Sequence, residues 1–584
     1  MNALLVMALA ILGFAVAYRY YGRFIGDKVL GLDPGRPTPA QTVNDGVDYV
    51  PTRPEVLFGH HFASIAGLGP IIGPAIAVVW GWLPALLWVV LGSILIGAVH
   101  DFAVLGISVR HGGRSIGDVA DEVLGPRARI LFMLIILFAI ALAMGVFVLV
   151  IADLFTYYDL PPTVAPTVTS PPEGEVGWAH PQAVLPSLGL IVLAAAIGFL
   201  VYKKRLPFGP TIAVGVALMF ALLLAGIALP LAVANKQFWI FLLLGYAFVA
   251  SVLPVWLLLQ PRDFLSSFNL YALLLLLAAG FVWSRPRIGA PALNTAVINN
   301  PEAGLPAMLP FLFITVACGA VSGFHCMVSS GTSSKQLRSE ADARLIGYGG
   351  MLTEGFLAVI VILACTAGYG LAEWNGIYDG WLTGLGATIG AFVVGAANVV
   401  SSLGIPTLVA KTFFAVTIVA FAMTTLDTGT RLIRYNVEEL ARIFRLPAFL
   451  RNRYAAGVVA VAAISCFALM SIGGRPAGRV LWVLFGTSNQ LLAGVALLVA
   501  TVYFFKRRRP TWVTFLPMLF MLVVTTWALG QNMIDWSRDS SRNMPLLAVG
   551  GAIFALLAWL VAEAIINFAA YRRRRGNAAA ADKT

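Results

Sequence analysis

The sequence predicts an all-α polytopic membrane protein with about 16 transmembrane helices, two of them interrupted. Of its 584 residues, 59% are apolar and only 11% are charged, whereas a water-soluble domain usually has about 25% charged residues. Apolar runs such as residues 130–151 recur along the whole chain. About 20 such residues cross a bilayer core of roughly 30 Å, so most of the chain is expected to lie in lipid.

The order of the spans follows from the apolar runs and the basic loops between them. The runs centre near residues 10, 71, 95, 140, 193, 220, 248, 275, 315, 358, 395, 417, 463, 491, 522 and 557. Lys and Arg cluster in loops 19–57, 110–129, 203–205, 335–344, 434–453 and 506–509, and in the tail. The positive-inside rule assigns these loops to the cytoplasm, and loop 154–183, which has no Lys or Arg, to the outside. The N-terminus is therefore expected outside and the C-terminus inside.

Residues 384–404 interrupt this alternation. The loop near Glu373 and Asp379 has no basic residue and is expected outside, while Arg431 and Arg434 are expected inside. An odd number of crossings must separate them, but two apolar runs lie there. The Gly-rich run 384–404 is therefore predicted to be a re-entrant or broken piece. The alternative is two full spans with a loop that departs from the charge rule.

The net charge of +12 does not indicate a nucleic-acid partner, because the basic residues form short clusters between apolar runs. The sequence shows no metal-ligand spacing, no nucleophile with a base at motif spacing and no phosphate loop, so we expect no cofactor, no metal and no enzyme activity. The cysteines lie in apolar segments without paired spacing and are interpreted as small core residues. They are Cys318, Cys326, Cys365 and Cys466.

Two apolar segments cannot form continuous helices. Residues 59–77 contain Pro70 and Pro74 among several glycines, and residues 318–336 combine three glycines with many Ser and Thr. Proline removes a backbone donor and glycine destabilises a helix. In the predicted topology these segments enter the membrane from opposite sides, as an inverted repeat requires. Paired interruptions of this kind are typical of transporter binding sites, although small residues also serve close helix packing.

The candidate substrate-binding residues come mainly from these two segments. Helix N-termini and hydroxyl groups at a break can hold an anionic substrate group, and Lys411 in a later apolar run can balance a carboxylate or pair with Glu354. The alternative for Lys411 is a side chain that extends to the nearer interface. The candidates are Ser64, Gly67, Gly69, Ser322, Gly323, His325, Ser329, Ser330, Thr332 and Lys411.

Ionisable groups inside apolar runs are the candidates for proton coupling, because a charge in a span costs about 2.5–3.5 kcal/mol on insertion scales. Glu354 is the first choice, since it lies near the middle of its run, and Asp101, His61 and His100 are further candidates. A Glu bonded into a packed interface is the alternative.

Four further charges and two amides receive structural interpretations. Asp427 and Arg431 have i, i+4 spacing and are interpreted as a helix-surface ion pair, and Arg262 and Asp263 receive the same interpretation. Asn489 and Gln490 fit interhelical hydrogen bonding as well as substrate contact.

Six motifs resemble the carbon starvation protein A (CstA) family. They are NDGVDYVPTRPEVLFGHHFASIAGLGPIIGPAIA (44–77), HDFAVLGISVRHGGRSI (100–116), QPRDFL (260–265), CGAVSGFHCMVSSGTSSKQ (318–336), GYGGMLTEG (347–355) and FGTSNQLLA (485–493). They stand in order over most of the chain. The basic run 572–575 is not part of this resemblance and is interpreted as a topology signal.

The resemblance implies a bacterial inner-membrane carrier, similar to peptide transporters and proton-coupled pyruvate symporters used when preferred carbon is exhausted. It also implies a LeuT-like inverted-repeat core. We expect residues 1–400 to contain the transporter core and residues 401–584 a C-terminal bundle. The residues leave open pyruvate or peptide as substrate, proton or sodium coupling, and the oligomeric state. A membrane nutrient sensor is the alternative from another class.

Overall fold

The computed structural model describes residues 1–156, 180–300, 305–380, 385–472, 474–538 and 544–581. Most of the loop expected outside, 154–183, lies beyond these residues, and so do the side chains of the basic run 572–575.

The named secondary-structure elements of the described residues are helices, apart from one short hairpin of β1 (Ser471–Ile472) with β2 (Arg475–Pro476). The helices in chain order are α1 (Ala3–Leu30), α2 (Pro54–Ile65), α3 (Gly69–Trp80), α4 (Trp82–Arg110), α5 (Ile116–Leu124), α6 (Pro126–Phe155), α7 (Pro181–Lys203), α8 (Phe208–Ala228), α9 (Lys236–Val252), α10 (Leu259–Ser284), α11 (Met308–Thr315), α12 (Gly323–Gly331), α13 (Glu340–Ala367), α14 (Leu371–Ile377), α15 (Leu385–Ser401), α16 (Thr407–Ile443), α17 (Arg453–Leu469), α18 (Ala477–Lys506), α19 (Trp512–Arg538) and α20 (Met544–Ala581). Short turns of helix occupy Pro39–Thr42 and Thr295–Ile298.

By length and composition, 11 of the described helices can cross a bilayer, or up to 12 if α2 and α3 form one span. Helices α9, α15 and α17 are apolar but shorter. Every span centre expected from the sequence falls in a helix, but the number of full-length spans is smaller than expected. A helix of 17 residues is about 25 Å long at 1.5 Å per residue, which is less than the bilayer core. Hydropathy identifies apolar residues but does not show where each helix begins and ends, so it does not reveal that these helices are too short to cross the bilayer core.

The basic loops meet on one face of the bundle, which we call the basic face. Arg110 donates to the carbonyl of Leu30 at 2.6 Å, and the backbone N–H of Thr52 donates to the carbonyl of Gln336 at 3.0 Å. At the opposite end of the bundle, the N–H of Ile288 donates to the carbonyl of Met1 at 2.9 Å. Asn567 of α20 lies beside Gly125, at the basic face. The two ends of the described chain therefore lie at opposite faces.

Residues 384–404 were expected to be re-entrant or broken, and the broken form is wrong for residues 385–401, since they form the continuous helix α15. Glycine runs remain helical where tight packing compensates for their low propensity. Cβ atoms at Gly368 and Gly395 would lie 2.3 and 2.4 Å from backbone carbonyls of the neighbouring segment, so the glycines here allow close packing. The Asn398 side chain donates to the carbonyl of Gly368 at 3.0 Å. The end of α15 thus lies beside the end of α13, where α16 also begins.

Burial separates inner from outer helices. The apolar windows of α6, α13 and α18 are 83%, 89% and 83% buried, while those of α8 and α20 are each 28% buried. Of the buried helices, α13 packs against α3 and α18 packs against α12, while α6 packs against α16 and α18. Cys466 is exposed, which corrects its interpretation as a core residue, because its side of α17 is not covered by another described helix.

Candidate functional site

The first predicted interruption is confirmed. Helix α2 ends at Ile65 and α3 begins at Gly69, with a bend of 47° between them. Ala66 has non-helical backbone angles, and Pro70 occupies the first turn of α3, where its missing N–H costs little. A Cβ on Gly69 would lie 2.4 Å from the Sγ of Cys318, so glycine is needed for close approach at this position.

The second interruption separates α11 from α12. Residues 316–322 are not helical. Most of the Ser and Thr residues of segment 318–336 follow this stretch, in α12 or in the helical turn after it. Two amides of α18 support the break. Asn489 accepts from the N–H of Phe324 at 2.8 Å, and Gln490 donates to the carbonyls of Phe313 and Val321 at 3.2 and 3.1 Å. Interhelical hydrogen bonding therefore accounts for these amides, because it satisfies backbone groups that the break exposes.

The two breaks lie against each other in the interior. A Cβ on Gly73 would be 2.5 Å from the carbonyl oxygen of Thr315, and Gly319 faces Pro70 and Pro74. The segments run in opposite directions. Helix α2 begins next to Thr52 at the basic face, and the chain after α12 returns to Gln336, which accepts from the Thr52 backbone.

A cluster of ionisable side chains lies beside the breaks, and we call His100, Asp101, His325 and Glu354 the first cluster. His325 is at its centre, with Nδ1 2.9 Å from Asp101 Oδ2 and Nε2 3.2 Å from Glu354 Oε2. His100 Nδ1 is 2.7 Å from Asp101 Oδ1. All four side chains are 0% exposed. The structure therefore brings together Glu354, Asp101 and His100, three of the expected proton-coupling residues, with His325, which was expected to bind substrate.

His61 reaches the same region from α2. Its Nδ1 is 2.8 Å from the hydroxyl of Ser333, and its ring packs against Gly350, one turn before Glu354. Among the described residues, His61 Nε2, His100 Nε2, His325 Nε2 and both carboxylate oxygens of Glu354 make no hydrogen bond, so the 3.2 Å contact of His325 with Glu354 is an ion pair. Alternating imidazoles and carboxylates within hydrogen-bond distance can hold a proton or pass it along, and burial in a span makes such groups functional candidates.

A second cluster lies on the other side of α2 and consists of His60, Asp263, Arg262, Asp427 and Tyr246. His60 Nδ1 is 2.5 Å from Asp263 Oδ2, and the Tyr246 hydroxyl donates to Asp427 at 2.5 Å. Arg262 makes an ion pair with Asp427. Both side chains are at most 1% exposed, so neither faces the lipid.

The expected surface pair between Asp427 and Arg431 is wrong. Asp427 pairs with Arg262 of α10, and Arg431 pairs with Asp48 at 2.8 Å. Spacing of i, i+4 places two residues on the same side of a helix, but the packing of α10 and of the loop before α2 against α16 decides their partners. The surface interpretation of Asp263 is wrong for the same reason, because Asp263 is fully buried against His60.

The remaining expected substrate-binding residues lie at different places. Ser64 contacts Asp263 and Thr428, at 3.4 and 3.1 Å. Gly67 packs against Thr425, and Gly323 packs against the backbone of α18. The Ser322 hydroxyl is bonded to Asn489.

The rest of the list lies along α12 or at the start of α16. Ser330 and Thr332 donate to backbone carbonyls one turn earlier, at 2.6 and 3.0 Å, while buried Ser329 has no hydrogen-bond partner among the described residues. Lys411 is partly exposed in the first turns of α16. Its expected pairing with Glu354 is wrong, because the ion pair of Glu354 is with His325.

A further network of charged side chains lies at the basic-face ends of the helices that carry the two breaks. Asp48 contacts Arg431 and Arg434, and the Lys335 ammonium lies 3.6 Å from the centre of the Tyr435 ring. Burial raises the pKa of Asp48, but the two guanidinium groups outweigh it and hold that pKa well below its usual range. Burial lowers the pKa of Lys335, partly offset by Asp48. This network stabilises the contact of residues 45–52 with α16.

Sequence reasoning interpreted Arg262, Asp263 and Asp427 as surface charges and so missed the second cluster, and it gave Ser333 no individual role. The available signal was the position of Arg262 and Asp263 at the start of a long apolar run, where charges are costly. Among the described residues no group of three or more His, Cys, Asp or Glu is arranged to hold a metal ion.

Comparison with known proteins identifies the family of this sequence. The model of the family described as carbon starvation protein CstA matches residues 2–371 and 382–528. The chain is 35% identical to the pyruvate/proton symporter BtsT of Escherichia coli K12, over 91% of this chain and 82% of that protein. It is 35% identical to the peptide transporter CstA of Campylobacter jejuni, over 92% and 81% of the two chains, and 34% identical to the peptide transporter CstA of Escherichia coli K12, over 90% and 80%.

A solved structure of an Eremococcus coleocola manganese transporter aligns with 90% of this chain and 99% of that chain, with a TM-score of 0.48 and 13% identity. The family match covers most of the sequence, and each relative exceeds 30% identity over nine-tenths of the chain. This chain therefore belongs to the carbon starvation protein CstA family.

Proposed function

We propose that this protein is a secondary active transporter, not an enzyme, that imports pyruvate or short peptides together with protons when preferred carbon is scarce. The observation that carries the proposal is the first cluster, in which His325 bridges Asp101 and Glu354 at the two breaks, fully buried. Relatives named as a pyruvate/proton symporter and as peptide transporters support it.

Glu354, Asp101, His61 and His100 are proposed to carry the coupling proton. Burial lets one proton change the net charge of a site that excludes water, so protonation and substrate occupancy can depend on each other. The substrate carboxylate is proposed to bind where α3 and α12 begin, because the helix dipole favours an anion at a helix N-terminus. The expected binding residues, from Ser64 to Lys411, are kept as proposals for this role.

The finer architecture is also proposed. Opposite directions of the two broken segments support a LeuT-like inverted repeat, and the contact of α15 with Gly368 supports a re-entrant α15. If short and broken helices also enter the bilayer, the chain has about 16 membrane segments. We further propose an inner-membrane protein with its N-terminus outside and basic face inside, and a division into residues 1–400 and 401–584.

The test is uptake of labelled pyruvate into proteoliposomes under an inward proton gradient, with an unlabelled dipeptide as competitor. Accumulation that a protonophore abolishes and a dipeptide leaves unchanged indicates a pyruvate–proton symporter. Competition by the dipeptide indicates a peptide carrier. Uptake that disappears when external sodium is replaced by choline at fixed pH would indicate sodium coupling and contradict the proposal.

The Glu354→Gln variant tests the proton carrier. The amide keeps the shape of the side chain but cannot take up a proton, so gradient-driven accumulation is expected to be lost. Size-exclusion chromatography in detergent checks that the variant is folded. The matched control is Glu373→Gln, which makes the same change at an exposed position in α14 and is expected to accumulate normally. Normal accumulation by Glu354→Gln would show that another residue carries the proton.

A further inference from the structure

The adjacent histidines of α2 belong to different clusters. His61 faces Ser333 and Gly350, on the side of the first cluster. His60 points to the other side, where its Nδ1 lies 2.5 Å from Asp263 Oδ2. The Ser64 hydroxyl is 3.4 Å from the same carboxylate oxygen and 3.1 Å from the hydroxyl of Thr428. Helix α2 therefore separates two buried groups of ionisable side chains.

The charged and titratable groups that face His60 in the second cluster come from three other helices. Helix α10 supplies Arg262 and Asp263, α16 supplies Asp427, and α9 supplies Tyr246. Helices α12 and α13 also pack against α2, but His325 of α12 makes its ion pairs with Glu354 of α13 and with Asp101, on the other side of α2.

The charge balance of the second cluster requires one more positive charge. Two carboxylates, Asp263 and Asp427, face a single permanent cation, Arg262, and all three are at most 1% exposed. With a neutral imidazole at His60 the cluster has a net charge of −1, and one bound proton makes it neutral. A buried charge without a counter-ion is strongly disfavoured, so this site has a physical reason to take up a cation.

We infer that His60 and Asp263 form a second proton-binding site, so that the transporter carries two protons with each substrate molecule. The inference rests on the proposed function. A proton suits the pair better than a metal cation, because the imidazole nitrogen lies directly on the carboxylate and hard cations prefer a shell of oxygen ligands. Asp263 Oδ1 and His60 Nε2 make no hydrogen bond within the described part of the chain, so polar atoms remain through which the proton can be exchanged.

The charge moved in each cycle tests the number of protons. Pyruvate carries one negative charge, so cotransport with one proton is electroneutral and cotransport with two protons moves one positive charge inward. In proteoliposomes without a pH gradient, a potassium diffusion potential set with valinomycin is applied, negative inside. The steady-state pyruvate ratio is expected to rise tenfold for about 59 mV. Asp263→Asn is expected to make this ratio independent of voltage, and the steady-state ratio reports stoichiometry even if turnover is slower.

The control is Asp153→Asn, the same substitution in a carboxylate paired with Lys236 away from both clusters, and it is expected to retain the voltage dependence. A wild-type ratio that ignores voltage, while a pH gradient still drives accumulation, overturns the second proton and leaves the proposed function standing. A ratio that follows voltage only when sodium is present overturns the identity of the cation.

A spectroscopic measurement keeps the inference testable without transport. In NMR spectra of the protein in nanodiscs with ¹⁵N-labelled histidine, the ring nitrogen shifts report the charge of each imidazole. The His60 signal is assigned by its loss in His60→Gln. The wild type is expected to show a cationic His60 ring that becomes neutral in Asp263→Asn. A His60 ring that stays neutral at every pH at which the protein remains folded overturns the second proton site, whether or not pyruvate is transported.

Discussion

Asp48→Asn removes the carboxylate that holds the loop before α2 against α16. Asp48 Oδ1 lies 2.8 Å from Arg431, and Oδ2 lies 3.4 Å from Arg434. The two guanidinium side chains are 1% and 3% exposed, and the carboxylate is 16% exposed. The substitution keeps the size of the side chain and removes its charge, so it leaves two buried cations next to a neutral amide.

The expected loss of unfolding free energy follows from these distances. At an effective dielectric constant of about 20, the two contacts are worth roughly 6 and 5 kcal/mol before desolvation, which offsets most of that gain. Breaking a buried pair by removing one partner costs about 3–5 kcal/mol. Arg434 keeps Glu438 at 2.9 Å, and Arg431 keeps the carbonyls of Ala250 and Leu253. We therefore expect the lower end, about 3 kcal/mol.

Chemical unfolding in detergent micelles at pH 7 measures this loss. The matched control is Asp27→Asn, whose carboxylate is 59% exposed and pairs with Arg23 one turn away. An exposed pair of this kind is worth about 0–1 kcal/mol, so the control is expected to stay close to the wild type. A loss for Asp48→Asn no larger than that of the control would refute the assignment of Asp48 as a buried counter-ion.

The contribution of Asp48 to the free energy of unfolding is expected to decrease in acid. The pKa of Asp48 in the folded protein lies below its usual range, because Arg431 and Arg434 outweigh the effect of burial. Its contribution to stability is complete above the unfolded-state pKa of about 3.9 and is lost as the pH falls towards the folded-state value. The difference between wild type and Asp48→Asn is thus expected to be constant from pH 7 to about 5 and to shrink below about 4. A difference that grows with acid would contradict this.

Two further predictions concern the breaks. Gly73→Ala is expected to reduce the yield of folded protein and its melting temperature, because the new Cβ would lie 2.5 Å from the Thr315 carbonyl; Gly376→Ala, where no atom lies within 4 Å, serves as control and is expected to have no effect. Asn489→Leu leaves the N–H of Phe324 without its partner at 2.8 Å and is expected to cost about 1–3 kcal/mol of unfolding free energy. An unchanged unfolding curve for Asn489→Leu would show that the second break does not depend on this amide.

The sequence predicted the elements whose causes are local. Pro70 and the surrounding glycines were sufficient to predict the first interruption, because a proline without a donor and residues of low helix propensity act where they stand. The loops rich in Lys and Arg were sufficient to group the ends of the helices on one face. Glu354 was identified as a candidate for proton coupling because a charge within a long apolar run is costly whichever helices surround that run.

The partners of the charges could not be predicted in this way. His325 meets Asp101 and Glu354 from three separate helices, and Asp427 meets Arg262 across 165 positions of sequence. The i, i+4 rule favoured Arg431 for Asp427, but a local rule cannot weigh a partner brought by another helix. The choice between a re-entrant and a broken form of residues 384–404 could not be made from the sequence either, because the continuity of α15 depends on close packing against Gly368.

The sequence by itself determined that this protein lies in a membrane. It also determined the positions at which helices are interrupted and the charged side chains that are costly to bury in the apolar runs. These properties depend on composition and on short-range backbone chemistry, both of which are set by residue type and not by tertiary contacts. Only the tertiary structure decided that the two breaks touch and that α2 separates two charged clusters. Buried charges are stabilised by whichever opposite charge the packing brings within about 3 Å, and that distance is set by helices far apart in sequence.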